Sequence, residues 1–316
     1  MKRFLNQIPV SICGLILGLV SLGHLFFSIQ RTAIGWAFTG MGILLMLLFF
    51  MKITITGKDT LKTLDNPVVA AISPTFPMSL MVLCNTLGHF TVNAPLIFTV
   101  WWLAIILHFG LMAFFTLTFV APNRLKSEYI NPGWFVTFVG IGVIPTTSSN
   151  FGVEFGQIVI WIALMFYLIL LPLVIIQLIK QRITRTTLPL VAIVAAPGSL
   201  CLTGYISVME HPSEMLVYLL LILSQAVYFL IVMMLPRIMR FRFHPSYAAL
   251  TFPVVISATA IVYTLQMTDG SSLLNSILGF LSTIELALAV IIVTYVLIRY
   301  SIFIVQCYAD NSQSYN

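Results

Sequence analysis

The chain has 316 residues, 60% of them hydrophobic and 8% charged, with a net charge of +6. A soluble domain carries roughly 25% charged residues, so this composition excludes a water-covered globule and the soluble enzyme classes that go with it. The apolar residues fall in runs of about 18 to 25, long enough to cross a hydrocarbon core of ~30 Å as helix, and too continuous for the alternating strands of a membrane β-barrel.

Met1-Lys2-Arg3 leads into a first apolar run, 9–29, which is too long for a signal-peptide core and lacks a small-residue cleavage site; it reads as a retained helix. It holds Pro9, Ser11, Ser21 and His24, with Gly14-x-x-x-Gly18 as a helix-packing pattern. Span 2, 34–51, is almost wholly apolar. Span 3, 70–87, carries Ser73, Pro74, Thr75, Phe76, Pro77 and Ser79, and His89 follows it. Span 4, 95–120, contains His108. Span 5, 131–148, ends on Pro145-Thr146-Thr147-Ser148, and span 6, 155–179, holds Pro172. Span 7, 188–208, has Pro197, Ser199 and Thr203, and span 8 covers 214–235. Span 9, 247–265, begins Thr251-Phe252-Pro253 and continues through Ser257 and Thr259. Span 10, 274–298, contains Glu285, the one acid deep in a span and so a functional candidate by default; as part of an outer helix it reads as a protonated carboxyl or a protomer contact.

With the N-terminus inside, all of the 15 Lys and Arg residues except Arg31 fall in inner segments. Those include Lys52, Arg124, Lys126, Arg182, Arg185 and Arg242. That is the positive-inside pattern, and it explains the net charge without nucleic acid. Acids such as Glu154, Glu210 and Asp269 fall outside, and Trp36, Trp101, Trp102 and Trp161 fall near the outer ends of their spans, where an aromatic belt belongs. The expectation is one transmembrane domain over 1–316, with short cytoplasmic tails at 1–7 and 300–316, in the cell membrane. Cys13, Cys84 and Cys201 lie inside apolar runs, and no CxxC or Cys/His cluster occurs, so neither a metal nor another cofactor is implied.

Proline divides the spans into two kinds. Odd spans carry it internally, as Pro74 and Pro77, Pro145, Pro197 and Pro253, with Pro9 opening span 1; among the even spans only span 6 does. The odd spans also hold most hydroxyl residues. A proline frees the carbonyl four residues earlier, and such backbone survives at membrane depth only in protein or beside a cavity. This predicts five helical hairpins, odd helices inside and even helices facing lipid. Ser11, Thr75, Pro77, Ser79, Pro145, Thr146, Pro197, Ser199, Thr251 and Pro253 then line a central pore. Thr75 and Thr251 have the alternative of bonding back to their own helices. Thr-Phe-Pro occurs in spans 3 and 9, which makes Phe252 and its counterpart Phe76 candidates for a gate.

The chain resembles the tellurite-resistance/dicarboxylate transporter family, which includes fungal malate and sulfite permeases and plant slow anion channels. The resemblance rests on the ten spans, on Asn66-Pro67-Val68 before Pro77, on Leu171-Pro172-Leu173, on Ala196-Pro197 followed by Cys201, and on Phe252-Pro253. It implies a homotrimer, each protomer with its own five-fold pore for small anions, blocked by the phenylalanine at 252. A proton-coupled carrier of dicarboxylates or oxyanions is the alternative. A membrane-embedded enzyme would need convergent acids, bases or metal ligands, and the spans offer one Glu and scattered His.

Overall fold

The computed structural model describes residues 2–90, 95–121, 130–180, 184, 187–268 and 273–313, with side chains to 309. Arg124, Lys126, Arg182, Arg185 and Asp269 lie outside the described residues. Every regular element among those described is helical. In chain order they are α1 (Lys2–Gln7), α2 (Ile12–Ser28), α3 (Thr32–Thr63), α4 (Pro67–Ile72), α5 (Thr75–Gly88), α6 (Pro95–Phe115), α7 (Gly133–Phe138), α8 (Val143–Thr147), α9 (Val153–Lys180), α10 (Ala196–Val208), α11 (Glu214–Met239), α12 (Thr251–Met267) and α13 (Leu273–Gln313). Eight segments are long and apolar enough to cross a membrane, the first being α3; α2 is shorter, at 17 residues, and the fifth expected span is built of short pieces.

Those pieces have a cause. Tight 3₁₀ stretches at Val139–Gly142, Leu188–Ala195 and Pro245–Leu250 come just before Pro145, Pro197 and Pro253, and α4 breaks from α5 just before Pro77. Proline has no N–H, and its ring collides with the carbonyl four residues back. The preceding turn tightens so that i→i+3 bonds recover what the α pattern loses. The Ala196 N–H donates to Ile193 O, four residues before Pro197, and the Phe76 N–H donates to Ser73 O at 3.1 Å, four residues before Pro77. Pro172 and Pro236 lie instead inside the unbroken α9 and α11. α4 itself starts cleanly: Asn66 accepts from the Val68 N–H at 2.9 Å, and Pro67 takes the first helical position.

Burial follows the same division. In the most apolar 18 residues of Pro67–Gly88, Leu188–Val208 and Pro245–Met267, 67%, 89% and 83% are buried; in the five other long segments the share lies between 28% and 39%. α2 packs against α5 and α12, α5 against α8, α8 against α10, and α10 against α12, which closes a circuit of buried helices. Outside it, α3 lies on α2, α6 on α5, α9 on α10, and α13 on α12. These helices, with α11 on the other flank of α10, expose Leu44, Leu103, Ile158, Met233 and Ile291, a surface suited to lipid.

Three details depart from expectation. α3 runs twelve residues past 51, bending at Thr56, whose hydroxyl donates to Lys52 O at 2.7 Å. Lys52, expected in a loop, is buried, and its Nζ donates to Leu5 O at 3.0 Å, in the last turn of α1, where the helix dipole favours a cation. Trp101 is not an interfacial residue but is fully buried, donating from Nε1 to Thr147 Oγ1 at 3.0 Å; Trp36 and Trp161 are exposed.

Glycine sets the approach of α2 to α12. A Cβ added at Gly18 would lie 2.5 Å from Thr251 Cβ, on the first residue of α12. Gly18→Val should therefore force the two helices apart, at a cost of ~1–3 kcal/mol for overpacking. A thermal melt in detergent should show a lowered midpoint, while Gly40→Ala, where a Cβ meets open space, should leave it within error.

Candidate functional site

The circuit of buried helices encloses a cavity of about 400 Å³. It lies at the end where the broken helices begin, and each contributes: Ser11 and Gly14, then Val69 and Thr75, Val136 and Val139, Ile193 and Pro197, Ala249 and Phe252. No lining residue comes from α3, α6, α9, α11 or α13. A second, smaller space of about 30 Å³ lies towards the other end, bordered by Ser21, His24, Thr146, Thr203, Thr259 and Tyr263. Water occupies ~30 Å³ in the liquid, so this space suits one small polar guest. Two residues border both spaces: Phe252 and Leu200.

The residues predicted from sequence separate into groups. Ser11, Thr75, Pro197 and Pro253 line the large cavity, and Thr146 lines the small one. Pro77, Ser79, Pro145, Ser199 and Thr251 line neither. Ser79 is fully buried, Pro145 lies against Gly204, and the Thr251 hydroxyl bridges to α2. Phe252 borders both spaces. Phe76 does not reach them: its ring lies 5.1 Å from that of Phe49 and 5.2 Å from that of Phe50, both on α3. Leu200, one leucine among many, carried no signal at the level of sequence.

Apart from those of Ser21 and Ser199, which are buried without a partner, the hydroxyls are not free donors. Thr75 donates to Ile72 O at 2.7 Å, Ser79 to Phe76 O at 2.6 Å, Thr146 to Val143 O at 2.8 Å and Thr203 to Ser199 O at 2.8 Å. Thr251 donates to Ala248 O at 2.8 Å or to Gly14 O at 2.9 Å. This is the back-bonding alternative, and it leaves mainly oxygen lone pairs facing the lumen. Tyr300 donates to Pro245 O, so in its 3.0 Å contact with Ser11 it accepts. Among the residues lining the large cavity, burial holds the His244 imidazole below the usual histidine range, which favours its neutral form at pH 7. The wall is neutral and largely apolar.

Beyond Phe252 the surroundings turn polar. His24 Nδ1 pairs with Thr86 Oγ1 at 3.1 Å, and its Nε2 faces Asn85 Nδ2 at 3.4 Å and the Tyr263 hydroxyl at 3.5 Å. Asn150 donates to Asn85 Oδ1 at 3.3 Å, and the His89 ring stacks 5.8 Å from that of His24. The sequence placed both histidines at this end; it did not show Asn85 or Tyr263 beside them. His108 sits apart, with Nε2 3.3 Å from Thr137 O.

Many apolar helices around a neutral, two-chambered interior define a multi-pass membrane transport protein. Residues 7–300 match the family model described as SLAC1, voltage-dependent anion channel, and the chain belongs to that family, whose members are anion transporters and channels rather than enzymes. A curated protein of Methanocaldococcus jannaschii, named as an uncharacterized transporter, is 26% identical over 145 residues, which is 42% of this chain and 40% of that protein's length.

The lining makes a chemical expectation. The native cysteines Cys13, Cys84, Cys201 and Cys307 are all buried. In a cysteine-free background, Ser11→Cys or Val136→Cys should be labelled by small charged thiosulfonate reagents and should then block anion flux. Ile291→Cys, exposed on α13, should give no change in flux. Flux that is equally insensitive to all three labels would remove the cavity from the transport path.

Proposed function

We propose that this protein passes small anions across the cell membrane through the two cavities, as one domain of ten crossings with both termini cytoplasmic, assembled as a trimer. Phe252 closes the path between them. The observation that carries this reading is the position of Phe252, which borders both spaces on the first turn of α12. A benzyl ring there offers a hydrated anion nothing to replace its water, and a narrow apolar constriction stops ions by resisting wetting. Leu200 supplies the facing apolar surface. The neutral wall serves the same end: weak interaction lets an ion leave as readily as it enters. Phe76 has no part in the barrier, because its ring is engaged with Phe49 and Phe50.

Phe252→Ala should raise anion efflux from proteoliposomes severalfold or more over wild type, with unchanged assembly on size exclusion. Leu200→Ala should add to it, and Phe76→Ala should give wild-type flux with a lowered melting temperature. Unchanged or reduced efflux for Phe252→Ala in correctly folded protein would sink the gate. Repeating the assay with and without a pH gradient separates a passive channel from a proton-coupled carrier: gradient-driven uptake would mark a carrier.

A further inference from the structure

Glu285 lies on α13 roughly 18 Å from its start at ~1.5 Å per residue, at the depth of a bilayer centre. It is 1% exposed, and neither carboxyl oxygen has a hydrogen-bond partner of good geometry, although Ser257 and Gln225 lie within reach of it. Around it α11 presents Gln225 and Tyr228, one helical turn apart, and α12 presents Ser257. Gln225 Nε2 donates to Ser257 Oγ at 3.1 Å, tying α11 to α12. The Gln225 Oε1 and the Tyr228 hydroxyl are buried and unpartnered. Four buried polar atoms from two helices, with Ser257 of a third beside them, thus converge without a well-formed hydrogen bond.

No cation faces the carboxyl among the described residues. The other titratable side chain of α12 is Tyr263, beside His24. On α2, Cys13 lies near Lys52 and Tyr300, and His24 pairs with Thr86. Glu214 and Arg237 sit towards the ends of α11, and on α13 the nearest further group is Tyr295, ~15 Å along the helix. A lone carboxylate here would cost several kcal/mol. Hydroxyls and an amide cannot neutralise it, but each can both donate and accept, so the cluster can hold either the acid or, once rearranged, the anion.

We propose that Glu285, with Gln225, Tyr228 and Ser257, is a proton-binding site set behind the helix that carries Phe252, and that proton release there loosens α12 and speeds anion passage. The binding half stands on the cluster alone; the coupling half rests on the conduit reading above. Ser257 lies five residues after Phe252, ~7.5 Å along α12. Ionised Glu285 draws the Ser257 and Gln225 hydrogens to itself, and the bond joining α11 to α12 is lost. The proton leaves to water and returns from it, so charge balances at each state.

The test uses proteoliposomes of the full chain and two readouts, the infrared carboxylic-acid C=O band and anion efflux, across a symmetric pH series. Wild type should show a protonated-carboxyl band at neutral pH that disappears in the alkaline range, with efflux rising severalfold over the same interval. Glu285→Gln should lack the band and hold efflux at the low-pH level throughout. Ser257→Ala should keep the band and move its midpoint. A wild-type spectrum with no band removed by Glu285→Gln would overturn the site, as would a band that responds to sodium and not to pH. An unchanged pH profile of efflux in Glu285→Gln would overturn the coupling. A titrating band in a protein that passes no anions keeps the proton site and overturns the conduit.

Discussion

A backbone carbonyl inside a bilayer has no water to turn to, and four of the buried segments carry a proline that strands one. The rest of the architecture follows from where those carbonyls can be tolerated. Segments around Pro77, Pro145, Pro197 and Pro253 are broken and buried together, and the intact helices take the lipid. The 3₁₀ turns recover part of the bonding, and serine and threonine hydroxyls are drawn onto carbonyls of the same turns. Close approach of the broken helices needs small residues, which is what Gly18 supplies against Thr251.

That same constraint sets the chemistry of the interior. Hydroxyl hydrogens committed to backbone cannot solvate an anion, so the larger cavity presents methyl groups, proline rings and oxygen lone pairs. The result is a cavity wall with little to offer an ion, with Phe252 and Leu200 bordering both it and the smaller space. The polar functions are gathered elsewhere: around His24 and Asn85 beyond Phe252, and around Glu285 behind the wall.

Much of the helix division was legible because proline acts locally: at Pro77, Pro145, Pro197 and Pro253 the helix is broken or tightened just before the ring, although Pro172 and Pro236 sit in continuous helices. Residue pairings across helices were not legible, and the two Thr-Phe-Pro copies show why. Both place threonine at the first position of a helix, α5 and α12, so the local structure repeats. Their rings part company because α3 brings Phe49 and Phe50 to one, while the other borders the two cavities. Lys52 was misplaced for a related reason: a lysine after an apolar run reads as a loop residue until α1 folds back to meet it. Gln225 and Tyr228 carried a usable signal, two polar residues three apart on an apolar helix, which one face of α11 turns towards Glu285.

The 3₁₀ stretch Leu188–Ala195 has one more effect. With 3.0 residues per turn, side chains three apart eclipse one another instead of spiralling around the axis. Thr187, Leu190, Ile193 and Ala196 all border the large cavity, and their spacing is three at every step. An α-helix would carry such a series off the cavity wall within two turns; here it forms a straight column, one side chain every ~6 Å of depth. The wall on this side is therefore graduated like a ruler, each rung belonging to one depth, running from the hydroxyl of Thr187 to the methyl of Ala196.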